Sequence, residues 1–200
     1  IIIGGQDTLY VCQYDGTNLL GWPVRVAHYL RAPAIGDIDN DGDLEIVIST
    51  SYTSEPQIYA FHHDGTPVSG WPPINVPPFT PPGLPKLPYS STLEIIFGTV
   101  THKYYALHHD GTIVSGWPTD STPYRFVDPP AIGDLNGDGF PEVVACPFDY
   151  PAKLYAWDNN GDLVDNFPVD LPPSRVPGAV TTSSQPVIGD IDSDGDMEIL

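Results

Sequence analysis

Three stretches of this chain crowd oxygen-bearing side chains at a spacing suited to a hard cation. They read Asp37-Ile38-Asp39-Asn40-Asp41-Gly42-Asp43-Leu44-Glu45, Asp134-Leu135-Asn136-Gly137-Asp138-Gly139-Phe140-Pro141-Glu142 and Asp190-Ile191-Asp192-Ser193-Asp194-Gly195-Asp196-Met197-Glu198. Side-chain oxygens stand at positions 1, 3, 5 and 9 of each stretch, and Gly stands at position 6. Calcium takes six to eight hard oxygens, and a glycine permits the sharp turn that wraps them around one point. Position 7 is Asp43, Phe140 or Asp196; Phe140 carries no side-chain oxygen, so this position is expected to offer its backbone carbonyl.

A single Asp/Gly-rich stretch can be a solvated turn, but three copies with one ligand spacing point to a metal. An all-oxygen set disfavours zinc and iron, and magnesium prefers fewer protein ligands and more water. The expectation is therefore about three Ca2+ sites. The second stretch sets Asp134, Asp138 and Glu142 beside the neutral Asn136, so it is expected to bind most weakly. An EF-hand opens the same way but needs a Glu at position 12, where this chain has Ile48 or Ala145. The last acid falls at position 9, at the start of an apolar run that reads as a strand.

The elements that must position these loops repeat along the chain. Gly21-Trp22-Pro23, Gly70-Trp71-Pro72, Gly116-Trp117-Pro118 and Asn166-Phe167-Pro168 recur with their aromatics 49, 46 and 50 residues apart. Ahead of each comes a turn: Asp15-Gly16, Asp64-Gly65, Asp110-Gly111 and Asn160-Gly161, dipeptides that favour hairpins. Strand-like runs precede those turns at 8–13, 57–62, 104–108 and 153–157, and further runs follow the acidic loops at 44–49, 142–146 and 197–200. One unit thus reads strand, acidic loop, strand, link, strand, Gly turn, strand ending in Gly-Trp-Pro. Tandem four-stranded antiparallel sheets of this length imply propeller blades. The expected fold is an all-β propeller of about four blades, at 1–31, 32–80, 81–128 and 129–178, with 179–200 starting a further blade or closing the first. The abrupt start and the final strand-like run favour a piece of a larger ring.

The second unit departs from the pattern. Glu94 and Pro82 match Glu45 and Pro33, but the intervening positions become Lys86, Pro88 and Ser90. The fold then does not need an ion in every unit, and Lys86 is expected to supply an internal cation there.

Composition bounds the partners. The chain has 200 residues, 7 Lys+Arg against 26 Asp+Glu and a net charge of −19, so nucleic acid and anionic membranes would be repelled. Half of the acid sits in the three nine-residue windows, where it repels itself unless a cation is present. Cys12 and Cys146 lack metal or redox spacing and read as free thiols.

The pattern Ala-Ile-Gly-Asp-Ile-Asp-x-Asp-Gly-Asp-x-Glu-Ile resembles the FG-GAP/VCBS repeats of integrin-α-like β-propellers. The resemblance extends over the whole chain. It implies that each loop joins the first two strands of a blade and holds calcium. The implied ligands are Asp37, Asp39, Asp41, the Asp43 carbonyl and Glu45, with Asp134, Asn136, Asp138, Phe140 and Glu142, and Asp190, Asp192, Asp194, Asp196 and Glu198, at the matching positions.

The pairs His62-His63 and His108-His109 read as hairpin-edge residues, since no acid or Cys cluster accompanies them in sequence. Trp22, Trp71 and Trp117 read as packing between units, and the Pro-rich link 72–88 as an exposed stiff loop. No phosphate loop or nucleophile motif is present. The leading functional expectation is a non-enzymatic extracellular or cell-surface module, rigidified by calcium, that meets a protein or carbohydrate ligand in adhesion. The alternatives are the propeller of a secreted polysaccharide lyase, for which seven basic residues offer little, and a structural spacer.

Overall fold

The computed structural model describes residues 1–26, 29–50, 57–71, 77–88, 90–148, 153–172 and 185–200, and among them there is no helix. Pro or Gly interrupts nearly every apolar run before a helical period can establish itself, and the chain folds as short antiparallel strands. Strands β1 (Ile2–Gly4), β2 (Thr8–Val11) and β3 (Val24–Arg25) form the first sheet, and β4 (Ala34–Gly36), β5 (Glu45–Ser49) and β6 (Ile58–Phe61) the second. Next come the pair β7 (Ile95–Gly98) and β8 (Tyr104–Leu107), then the four-stranded sheet of β9 (Ala131–Gly133), β10 (Glu142–Ala145), β11 (Lys153–Trp157) and β12 (Val169–Asp170). The last pair is β13 (Ile188–Gly189) and β14 (Glu198–Ile199).

The sheets stack in chain order, and each apolar cluster lies between two consecutive sheets. Leu9, Val11 and Trp22 pack on Ile46, Ile48 and Phe61. Val47, Ile58 and Ala60 pack on Ile95, Phe97 and Leu107. Ile96, Tyr104 and Ala106 pack on Val143, Ala145 and Trp157. Ala131, Val144 and Ala156 receive Ile188 and Ile199. Period-two alternation does the sorting, with Ile46 and Ile48 facing back and Val47 facing forward. Middle strands buried on both faces therefore read as unbroken apolar runs.

Four expectations change in detail. Only the β9–β12 sheet has four strands among the described residues. The run after each Gly turn makes a single bridge, at Asn18, Pro67, Ile113 or Leu163, and is then interrupted by the Gly-aromatic-Pro corner or its Asn-Phe-Pro equivalent. Pairing resumes beyond the corner, where Val24–Arg25 joins β2 and Val169–Asp170 joins β11. The corner is thus a break inside the fourth strand and not its end.

The link 72–88 is also different where it is described, since Phe79, Thr80 and Leu87 are buried. Phe79 N–H donates to the Gly98 carbonyl, and Gly83 and Ile96 exchange two backbone bonds at 2.8 and 2.9 Å. Its prolines alternate with residues that keep an N–H to donate, so the segment serves as the first strand of its unit. Residues 72–76 lie outside the described residues. Lys86, in turn, is exposed and has no ion pair among the described residues. Cys12 and Cys146 are not joined in a disulfide.

The three tryptophans join neighbouring sheets as expected. The indole N–H groups of Trp22, Trp71 and Trp117 donate to the carbonyls of His63, His109 and Asn159 at 2.9, 2.7 and 3.1 Å. Each receiving residue lies in the hairpin turn of the following unit.

Candidate metal loops

Each acidic loop is wrapped by its own side chains. The Asp37 carboxylate accepts the N–H groups of Asp41 and Gly42, both at 3.1 Å, and Asp41 accepts that of Asp43 at 2.9 Å. Asp134 accepts Gly137, Asp138 and Gly139 at 2.8, 3.1 and 2.8 Å. Asp190 accepts Ser193 and Gly195 at 2.6 and 3.1 Å. The turn needs left-handed backbone at two places. One is the glycine at position 6, with φ of 97°, 90° and 99° at Gly42, Gly139 and Gly195. The other is position 4, at Asn40, Gly137 and Ser193, which the sequence pattern alone did not single out.

This wrapping brings carboxylates together. One oxygen from each of Asp37, Asp39 and Asp41 lies within 4.8 Å of the others, and the same holds for Asp190, Asp192 and Asp194. Such a set of hard oxygens could hold a metal ion, and its mutual repulsion falls when one binds. In the middle loop Asn136 replaces the central acid and donates to Asp138 Oδ2 at 3.0 Å and Glu142 Oε1 at 3.4 Å. Asp43 does not turn its carboxylate into the first cluster; its Oδ2 lies 3.7 Å from His63 Nδ1. Phe140 N–H donates to Asp138 at 2.8 Å, which ties position 7 to position 5.

The Glu at position 9 sits beneath the loop. Glu45 is 0% exposed and its Oε2 accepts the N–H of Ile38 at 3.1 Å. Glu142 does the same to Leu135 at 2.7 Å and Glu198 to Ile191 at 3.0 Å. Glu94, in the loop without Asp, accepts from Leu87 at 2.9 Å. Burial pushes the Glu45 carboxyl above its usual range, against the Ile38 and His62 hydrogen bonds, and the charges of Asp39 and Asp41 push it further. Burial raises Glu142 in the same way, with Asp138 and Asp134 adding to it. A cation in each loop would oppose the shift of the Glu beneath it.

The histidines are where the sequence reading falls short. His62 Nδ1 lies 3.2 Å from Glu45 Oε1, and His108 Nδ1 lies 3.7 Å from Glu94 Oε1. The cause is hairpin register: Ile46 pairs with Phe61 and Ile95 with Leu107, so the next residue along falls opposite the Glu. An acid does accompany these histidines, across the sheet and not along the chain.

Comparison with known proteins agrees with this picture over part of the chain. Residues 134–200, which hold the second and third loops, match the family model of the FG-GAP-like repeat. This is consistent with the FG-GAP/VCBS type of repeat read from the loop motif. Among solved structures, the chain matches the V. cholerae biofilm matrix protein Bap1 with a TM-score of 0.60 and 21% identity. The match covers 87% of this chain but only 28% of that one, and at this identity it speaks to fold alone. No curated protein sequence matches significantly. No helix among the described residues is long and apolar enough to cross a membrane.

Proposed function

We propose that this chain is a non-enzymatic, calcium-binding propeller module of an extracellular or cell-surface protein, acting in adhesion to a protein or glycan. The observation that carries the reading is the convergence of Asp37, Asp39 and Asp41, repeated at Asp190, Asp192 and Asp194. Calcium would be held by Asp37, Asp39, Asp41, the Asp43 carbonyl and Glu45, and by the matching residues of 134–142 and 190–198. Its chemistry there is to cancel carboxylate repulsion and lock the loop between two strands. Blade boundaries near residues 31, 80, 128 and 178 follow the repeat, and the serial stacking of sheets suits a propeller.

The FG-GAP-like match and the likeness in fold to a biofilm matrix protein both support an extracellular, adhesive setting. Millimolar extracellular calcium suits sites of modest affinity. Ligand that binds only the folded state stabilises it by roughly 2.7 kcal/mol per site at a hundredfold excess over Kd. Melting with calcium and then with EDTA tests this. A clear fall in Tm on chelation, with saturable binding by calorimetry, is expected; an unchanged melt overturns the reading.

A further inference from the structure

The geometry points to a second kind of site in this chain, a pocket for a primary ammonium group built on the one loop that lacks the Asp set. A cavity of about 480 Å³ opens against that loop and the hairpin turns beside it, lined by Glu94, His108, Ser90, Thr92, Leu87 and Val114 among others. The volume suits a small organic ligand and far exceeds what one ion needs.

Glu94 directs a charge into it. The residue is 0% exposed, one carboxylate oxygen accepts Leu87 N–H, and Oε1 is buried without a hydrogen-bond partner among the described residues. In the unit before it, His62 closes on Glu45 Oε1 at 3.2 Å, whereas His108 stands off at 3.7 Å from Glu94. A buried carboxylate oxygen without a donor is costly, and a ligand N–H placed there relieves it.

The rest of the lining selects the ligand's charge. Among the described residues it holds no Lys or Arg, which disfavours phosphates and uronic acids, and it adds a second acid, Asp110, at the rim. Hydroxyls of Ser90 and Thr92, 3.2 Å apart, and the neighbouring Asn159 and Asn160 provide further acceptors. Among the described residues no three His, Cys or acid side chains come together here as they do in the Asp loops, which leaves too few donors for a protein-held ion. An ammonium offers three donors, and a charge-assisted bond to Glu94 is roughly twice as strong as a neutral one. Amino sugars and protein lysines both present this group.

Amide NMR of the 200-residue chain in calcium buffer tests the site. The probes are glucosamine and Nα-acetyl-lysine methylamide, against glucose and N-acetylglucosamine as uncharged counterparts. At least one ammonium probe should shift the Ser90, Thr92 and Ser115 signals saturably, with Kd below about 1 mM, and the uncharged probes should bind at least about tenfold more weakly. The stronger ammonium probe identifies the source. Glu94→Gln and the rim-filling Ser115→Trp should each weaken binding by about tenfold or more. The site is refuted if neither ammonium probe binds, if an uncharged probe binds as well as the stronger ammonium probe, or if a folded Glu94→Gln keeps its affinity. Should that variant not fold, Ser115→Trp decides, and undiminished binding in it refutes the site. None of these outcomes depends on the calcium loops.

Discussion

The side chain of Glu94 accepts the backbone N–H of Leu87 at 2.9 Å, as Glu45 accepts that of Ile38 at 3.1 Å. One of these loops carries four Asp residues and the other none, yet the Glu keeps its place. Closing the loop from below is therefore work the residue does without a metal.

This separates two roles that a shared set of ligands merges. Glu45→Ala leaves the buried Ile38 N–H unpaired and should cost about 1–3 kcal/mol, in EDTA as well as in calcium. Glu45→Gln keeps an oxygen for Ile38 but removes the charge. It should stay near wild type in EDTA and fall below it only when calcium is present. Denaturant melts under both conditions check the pair; equal losses for Gln and Ala in EDTA would argue against loop closure.

Much of this was legible because the repeat and the loops are local. The Asp spacing, the turn dipeptides and the apolar runs are written along the chain, and β11 falls on the expected residues Lys153–Trp157. What the sequence hides is register. His62 meets Glu45 only because Ile46 faces Phe61, a pairing of distant residues that no local pattern encodes. The proline-rich segment misleads for a related reason. Residues 77–88 are read as exposed by composition, yet Gly83 and Ile96 pair as a strand would.

The hairpin-turn glycine Gly16 and the corner glycine Gly21 should differ sharply in tolerance. Gly16 and Gly21 have φ of 85° and 89°, so Ala is strained at either, by about 1–2 kcal/mol. A Cβ at Gly16 meets open space, while at Gly21 it would lie 1.8 Å from the Asp64 carbonyl of the next unit. Backbone cannot yield as a side chain can. Gly21→Ala should cost roughly 3–5 kcal/mol, in the tail of single substitutions, and Gly16→Ala only the smaller strain. Thermal melts of the two variants compare them directly.

Acid sensitivity should involve the hairpin turns. The Thr66 hydroxyl and N–H hold the Asp64 carboxyl below its usual range, the hydroxyl foremost, with His63 and His62 adding a little. A depressed folded value means that the unfolded chain binds the proton first. The contribution is present above the unfolded value and is lost as pH falls through the folded one. Thr66→Ala should move the Asp64 midpoint upward in a carbon-detected NMR titration. Its Tm deficit against wild type, measured in EDTA, should narrow as pH falls through this range.

The middle loop offers a test whose sign reverses with calcium. Asn136 donates to Asp138 and Glu142 at 3.0 and 3.4 Å, so without metal it holds two acids together. Asn136→Asp removes those donors and adds a fourth charge to Asp134, Asp138 and Glu142, and like charges at this range repel. In EDTA the variant should be less stable than wild type. With calcium the extra carboxylate becomes a ligand, and fewer ligand charges mean weaker binding in such loops. Affinity at 134–142 should rise by about tenfold, or 1.4 kcal/mol, toward that of 37–45 and 190–198. Calorimetry on variants that retain one loop at a time resolves the three sites, and melts in EDTA and calcium supply the two signs. A variant destabilised equally in both conditions would mean that position 3 of the loop never faces the ion.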